Sequence, residues 1–162
     1  MSIVVLKEVF IATGKLDRYF EGAVPVNLWR AYNKKQASLG VQQNNSIFNF
    51  VEEETVLSNG RPRPADIAIE QRSDGARWVS VKNRPRGVST FDKPGCPSGK
   101  DWDYFRIPEG TVLPVGLAIV RDEFNPRFDA THYTIAPAYD MPLEQFKGLL
   151  LQLVKHVIKE AA

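Results

Sequence analysis

Cysteine is almost missing from this chain: Cys96 is the only one among 162 residues. No intramolecular disulfide can staple the fold, and no cysteine-rich zinc site can form, which fits folding in a reducing compartment. No metal is expected. Histidine is nearly as scarce, with only His132 and His156. Long apolar runs are also missing. Ile3-Val4-Val5-Leu6 gives way to Lys7 and Glu8, too short for a signal-peptide core, and nothing approaches the length of a membrane span. These absences predict a soluble, cytoplasmic chain that could be exported only without an N-terminal signal. A large excess of one charge is lacking too, since 21 Lys and Arg face 19 Asp and Glu for a formal net charge of +2. The balance gives no electrostatic case for a dedicated nucleic-acid binder, although a local basic patch stays open. Cys96 itself sits in the turn-rich loop Pro94-Gly95-Cys96-Pro97-Ser98-Gly99, with nothing beside it in sequence to activate it as a nucleophile.

What is present suits one globular domain. With 43% hydrophobic residues over 162 positions, the chain can bury a sizeable core as a single unit spanning 1–162, with residues 1–23 as an N-terminal extension. Residues 3–20 read as a short strand or helix interrupted at Gly14. Val24 to Tyr32 alternates as a strand, with Leu28, Arg30 and Tyr32 on one side and Trp29 and Ala31 on the other. A charge on an otherwise apolar face is costly unless paired, so Arg30 either meets a carboxylate or lines a polar cleft. Gln42 to Ser46 is a polar loop, and Glu52-Glu53-Glu54 is a solvated acidic run. Asp66 to Glu70 and Arg77 to Lys82 alternate around Ser73-Asp74-Gly75 and predict a hairpin. The basic stretch Arg84-Pro85-Arg86 is either a solvated loop or a phosphate clamp. Leu113 to Val120 is a buried strand candidate broken by Pro114 and Gly116. At the C-terminus, Leu143, Phe146, Leu150, Leu153, Val154 and Val157 recur at spacings of three and four and predict an amphipathic helix over 143–159, capped by Asp140. Short alternating segments followed by one such helix predict an α+β fold with a small split or antiparallel sheet enclosing a cleft.

Two segments carry the chemistry. Asp129 to Pro137 and Gly87 to Asp92 each place small polar side chains on or beside a β-prone stretch, the way a sheet presents hydroxyls and an imidazole to a cleft. Alternation sends His132 and Thr134 to one face and Tyr133 and Ile135 to the other. Gly87 suits a tight backbone approach.

The blocks Pro64-Ala65-Asp66-Ile67, Gly87-Val88-Ser89-Thr90-Phe91-Asp92, Ile107-Pro108-Glu109-Gly110-Thr111 and Ala130-Thr131-His132-Tyr133-Thr134-Ile135-Ala136-Pro137-Ala138 resemble the ADP-ribosyltransferase-like cytotoxins of the type VI secretion exported effector two family. The resemblance runs from about residue 26 to the C-terminus. It implies a fold of that type around an NAD cleft, NAD as substrate, a cognate immunity protein and a macromolecular acceptor of ADP-ribose. By the same resemblance, Arg30 holds the NAD phosphates or ribose, Ser89 orients the nicotinamide ribose, and His132 completes the catalytic set. Trp29, Thr90 and Tyr133 join Arg30 and Ser89 in binding NAD. Val88 replaces a threonine of the family pattern. The late glutamate usual in such enzymes is missing, and Asp92, Glu109 and Asp129 are the nearest candidates for its role. Glu52 and Glu54 precede Ser89 where the toxins' paired glutamates follow it, and read as surface. A non-catalytic domain of the same fold, binding protein or nucleic acid through Arg61, Arg63, Arg84 and Arg86, is the alternative, and an NAD glycohydrolase is another.

Overall fold

The structure is a computed structural model that describes residues 3–33, 47–52, 54–56, 58–82 and 86–159. The Gln42–Ser46 loop, Glu53 and Arg84 lie outside the described residues. The elements run helix α1 (Leu6–Ala12), a single 3-10 turn (Leu16–Arg18), β1 (Tyr19–Phe20), β2 (Leu28–Asn33), β3 (Thr55–Val56), β4 (Pro62–Arg63), β5 (Ala68–Gln71) and β6 (Arg77–Ser80). They continue with β7 (Val88–Phe91), β8 (Trp102–Ile107), β9 (Leu117–Asn125), β10 (Ala130–Pro137), β11 (Met141–Pro142), helix α2 (Leu143–Val154) and β12 (Ile158–Lys159). Among the described residues the largest sheet has seven strands in the order β1-β9-β10-β7-β2-β8-β12, with β11-β6-β5 and β3-β4 as smaller sheets. Every strand pair is antiparallel. The architecture is α+β, and the described residues form mostly antiparallel sheet with two α-helices. No helix of the described residues is long and apolar enough to cross a membrane.

Alternation over residues 117–120 of β9 and 133–136 of β10 gives the large sheet two apolar faces. Leu117, Ile119, Tyr133 and Ile135 enter one core together with Leu28, Val88 and Ile107, and α2 covers it with Leu143, Phe146, Leu150 and Leu153. Ala118, Val120 and Ala136 point the other way, where Leu6 and Phe10 of α1 pack on them. The alanines leave room for a helix close to the sheet. Each fully buried Leu or Phe here contributes about 1.5–3 kcal/mol from apolar surface removed from water. The segment read as a strand or helix at 3–20 is therefore the lid of the second core, held by the Leu6 N–H bond to the Ala138 carbonyl (2.8 Å).

The C-terminal helix ends at Val154, five residues before the predicted limit. Val157 still packs on the main core, but Ile158 and Lys159 turn back to pair with Arg106 and Phe105, so the strand edge of β8 is covered. Asp140 does not cap α2. Its buried carboxylate accepts the Val4 and Val81 N–H groups (3.1 and 3.0 Å) and faces Arg72 at 3.6 Å, tying the N-terminal segment to the small sheet. The predicted hairpin forms as β5 and β6, turning at Gly75 with φ 84°.

Candidate functional site

The β9–β10 hairpin and the neighbouring strand β7 build a polar cleft on the α1 side of the large sheet. Thr134 stands directly opposite Ser89, and His132 opposite Phe91, across the β7–β10 ladder. Ser89 and His132 are thus diagonal neighbours on one face, a spacing of about 7–8 Å. Both line a cleft of about 440 Å³ with Thr134, Asp122, Arg86 and the Arg63–Asp66 segment. That volume falls in the range of about 300–1,000 Å³ in which proteins hold small ligands.

The bottom of the cleft is a hydrogen-bonded trio. Asp122 Oδ2 lies 2.7 Å from His132 Nδ1 and 2.6 Å from Thr134 Oγ1. An ionised carboxylate only accepts, so Nδ1 and the threonine hydroxyl are both donors. A β-bulge makes this meeting possible: the register passes from Thr131↔Phe124 to Tyr133↔Arg121, so Asp122 and Glu123 together oppose His132. Phe91 closes off the imidazole edge-on at 5.2 Å between ring centres, and Phe128 supports Phe91 at 5.4 Å. The Asp122 and His132 side chains are 33% and 28% exposed, partly shielded yet reachable from solvent. The Ser89 hydroxyl and His132 Nε2 have no partner among the described residues, and neither does the guanidinium of Arg86.

Gly87 shapes the same wall. A Cβ there would sit 1.9 Å from the Ile135 carbonyl oxygen, so only glycine lets the chain entering β7 lie flat on β10. Val88 points into the main core at 1% exposure, so a hydroxyl at that position would face α2 rather than the cleft.

Several predicted site residues are placed elsewhere. Arg30 does not line the cleft. Its Nε donates to the Ile47 carbonyl (2.9 Å), Nη2 to the Asn49 carbonyl (2.7 Å) and Nη1 to the Ser89 carbonyl (3.0 Å). It meets neither a carboxylate at hydrogen-bonding distance nor a polar cleft, the two outcomes its pattern allowed. It fastens the 47–49 segment to β7 where β2 and β7 part, since these strands pair only at Trp29↔Phe91. Burial pushes the guanidinium down to about 10, with Asp66 raising it and Arg63 lowering it further. Thr90 is also turned away: it is fully buried and donates its hydroxyl to the Tyr133 carbonyl (3.0 Å). Tyr133 is in the main core, where burial raises its phenol. Trp29 shares the face of Phe91 but does not line the cleft, and its indole N–H is buried without a partner among the described residues.

None of the three acids proposed for the missing glutamate lines the cleft. Asp92 accepts the Thr131 N–H (2.8 Å), and Asp129, in the β9–β10 turn, pairs with Lys93 (2.8 Å). The cleft's own carboxylates are Asp122 and Asp66, and Asp66 is engaged by the Val51 N–H (2.6 Å) and Arg63 (3.3 Å). Glu52 is an ion-pair centre for Arg77 and Lys147, at 3.2 and 2.9 Å. Asp122 escaped the sequence reading because the predicted strand stopped at Val120. Its signal was present: continuing that alternation puts Asp122 on the face of Ala118 and Val120, and Asn125-Pro126 supplies the turn that folds it back on His132. Cys96 is buried, with burial raising its thiol, and its Sγ lies 3.8 Å from the Pro94 carbonyl oxygen. Among the described residues no three His, Cys, Asp or Glu side chains are grouped to hold a metal.

The antiparallel sheet carries a hydroxyl, an imidazole and arginines around one cleft, and residues 7–162 match the model of a family of ADP-ribosyltransferase toxins. That family is described as Tse2 ADP-ribosyltransferase toxin, and the chain belongs to it. A curated relative, Toxin Tse2 of Pseudomonas aeruginosa, is 42% identical over 73 residues, a stretch covering 45% of this chain and 46% of that protein. The matched stretch thus spans just under half the length of the relative.

Proposed function

We propose that this chain is the catalytic part of a toxin that breaks the nicotinamide–ribose bond of NAD and transfers ADP-ribose to a macromolecular acceptor. The observation that carries the reading is the cleft in which the Ser89 hydroxyl, the His132 imidazole and the Arg86 guanidinium stand together, Ser89 and Arg86 with no side-chain partner among the described residues. Breaking the glycosidic bond builds an oxocarbenium-like ribose, which is favoured by a site that holds ribose and nicotinamide still and by negative charge nearby. Ser89 is placed to hydrogen-bond the ribose, and the Asp122 carboxylate supplies the charge. Arg86 takes the phosphate-holding role in place of Arg30, because a planar guanidinium suits phosphate oxygens and this one has no competing partner among the described residues. Export through a type VI machine, action in the cytoplasm of a susceptible cell and restraint by a cognate immunity protein belong to the same proposal. They rest on the resemblance of the sequence blocks from Pro64 to Ala138.

The test is incubation of the purified protein with radiolabelled NAD and a cell lysate. Wild type should release nicotinamide and label a macromolecule; release without labelling would instead make the chain an NAD glycohydrolase. Absence of both would leave a binding domain. Ser89→Ala and His132→Ala should each lower nicotinamide release by about 10²–10³-fold while staying folded. Cys96→Ser should remain as toxic as wild type.

A further inference from the structure

Asp122 is bonded to His132 and Thr134 through one and the same oxygen, and this fixes more than the position of the ring. In the neutral ring, a carboxylate that accepts from Nδ1 fixes the proton on that nitrogen and leaves a lone pair on Nε2. Phe91 lies edge-on against the ring, and Nε2 has no partner among the described residues. His132 itself lines the cleft, where Nε2 meets no competing partner among the described residues. Thr134 prevents the carboxylate from rotating away, because its 2.6 Å bond pins the same Oδ2.

We infer that Asp122 is the positioning residue of this site, and that it holds His132 as the base that deprotonates the group receiving ADP-ribose. The inference rests on the NAD reading above. As the bond between the ribose C1′ and the nicotinamide nitrogen breaks, its electron pair leaves with nicotinamide. The acceptor's oxygen or nitrogen bonds to C1′, and its proton passes to Nε2. The imidazolium formed faces the Asp122 carboxylate, which neutralises it without moving. The acceptor is accordingly a protic group that keeps its proton at neutral pH, such as a hydroxyl, an amide or water, rather than a carboxylate. Asp122 thus enters the reaction through His132, unlike the glutamate sought among Asp92, Glu109 and Asp129.

Ring ¹⁵N NMR tests the first half directly, because the chain has only two histidines and a His156→Gln variant assigns the spectrum. His132 of the ligand-free protein should show the Nδ1–H tautomer at slightly alkaline pH. Asp122→Ala should lose that pattern and lower nicotinamide release by about 10²–10⁴-fold, with a cooperative melt retained. A wild-type Nε2–H tautomer, an unchanged tautomer in Asp122→Ala, or release within about twofold of wild type would each overturn the inference. Should Asp122→Ala not fold, the isosteric Asp122→Asn decides: at least about a tenfold fall in release supports the charge role, and unchanged release removes it. A wild-type protein that releases no nicotinamide overturns the NAD reading and the base role with it. The tautomer still reports separately whether Asp122 holds the ring.

Discussion

Two arginines show how the surroundings of one side chain decide its use. Arg30 spends its fork on three main-chain carbonyls, whereas Arg86 lines the cleft with no partner among the described residues. A buried guanidinium is tolerated only when its donors are satisfied, and the carbonyls left behind by its removal would be stranded in turn. Arg30→Lys keeps the charge but offers a point donor that cannot reach three acceptors. It should therefore cost about 2–4 kcal/mol in urea unfolding, with little change in the KM for NAD of the fraction that folds. Arg86→Ala should do the reverse, raising KM about tenfold or more with stability unchanged, as expected for one charge-assisted phosphate contact. A stable Arg30→Lys protein with a raised KM would return Arg30 to the phosphates. The sequence placed Arg30 on the face of Leu28, as found, but could not say that carbonyls rather than a carboxylate would meet it, because those carbonyls come from residues 17 and more positions away.

At the scale of elements, the site exists because three strands lie in a particular register. His132 and Thr134 share a face by simple alternation, and that much was legible from Thr131-His132-Tyr133-Thr134-Ile135. The alternation also turned Thr90 and Tyr133 into the core, a consequence the family pattern obscured when both were assigned to the ligand. The bulge that sets Asp122 against His132 was not legible, since a bulge is a mismatch between two strands and neither strand contains it alone. The flat packing of Gly87 on β10 maintains the register from the other side. Gly87→Ala should destabilise the protein by about 1–3 kcal/mol through overpacking and lower nicotinamide release by shifting Ser89 relative to His132. A melting temperature and activity equal to wild type would show that β7 can move away at no cost. The C-terminal helix was legible as an apolar stripe, but not its stop at Val154, because the edge of β8 competes for Ile158 and Lys159.

Across the whole molecule, several phenols are held in surroundings that favour the neutral form. Burial raises Tyr19 most, followed by its hydrogen bond to Glu21 (3.0 Å), and burial also raises Tyr104 and Tyr133. A phenol whose pKa is higher in the folded state keeps its proton while the unfolded chain loses it. Stability is then fully present below the ordinary value of 10.0 and falls as pH rises above it. For the buried Tyr19 the slope reaches at most about 1.4 kcal/mol per pH unit. Arg30, lowered to about 10, acts in the opposite sense, since the unfolded chain keeps that proton longer. Comparing wild type with Tyr19→Phe cancels the Arg30 contribution, and the variant should lose stability less steeply between pH 10 and the alkaline limit of folding. Equal slopes in a denaturant titration would mean that Tyr19 ionises freely in the folded protein. What the sequence determined alone is whatever depends on near neighbours: no disulfide, no membrane-spanning helix among the described residues, alternating strands, the hairpin at Gly75, the helix stripe, and the face on which His132 stands. Tertiary structure decided the rest. Which carbonyls satisfy Arg30, which carboxylate meets His132, and which arginine has no partner among the described residues depend on strands and segments packed together by the fold, a juxtaposition of which sequence spacing carries no record.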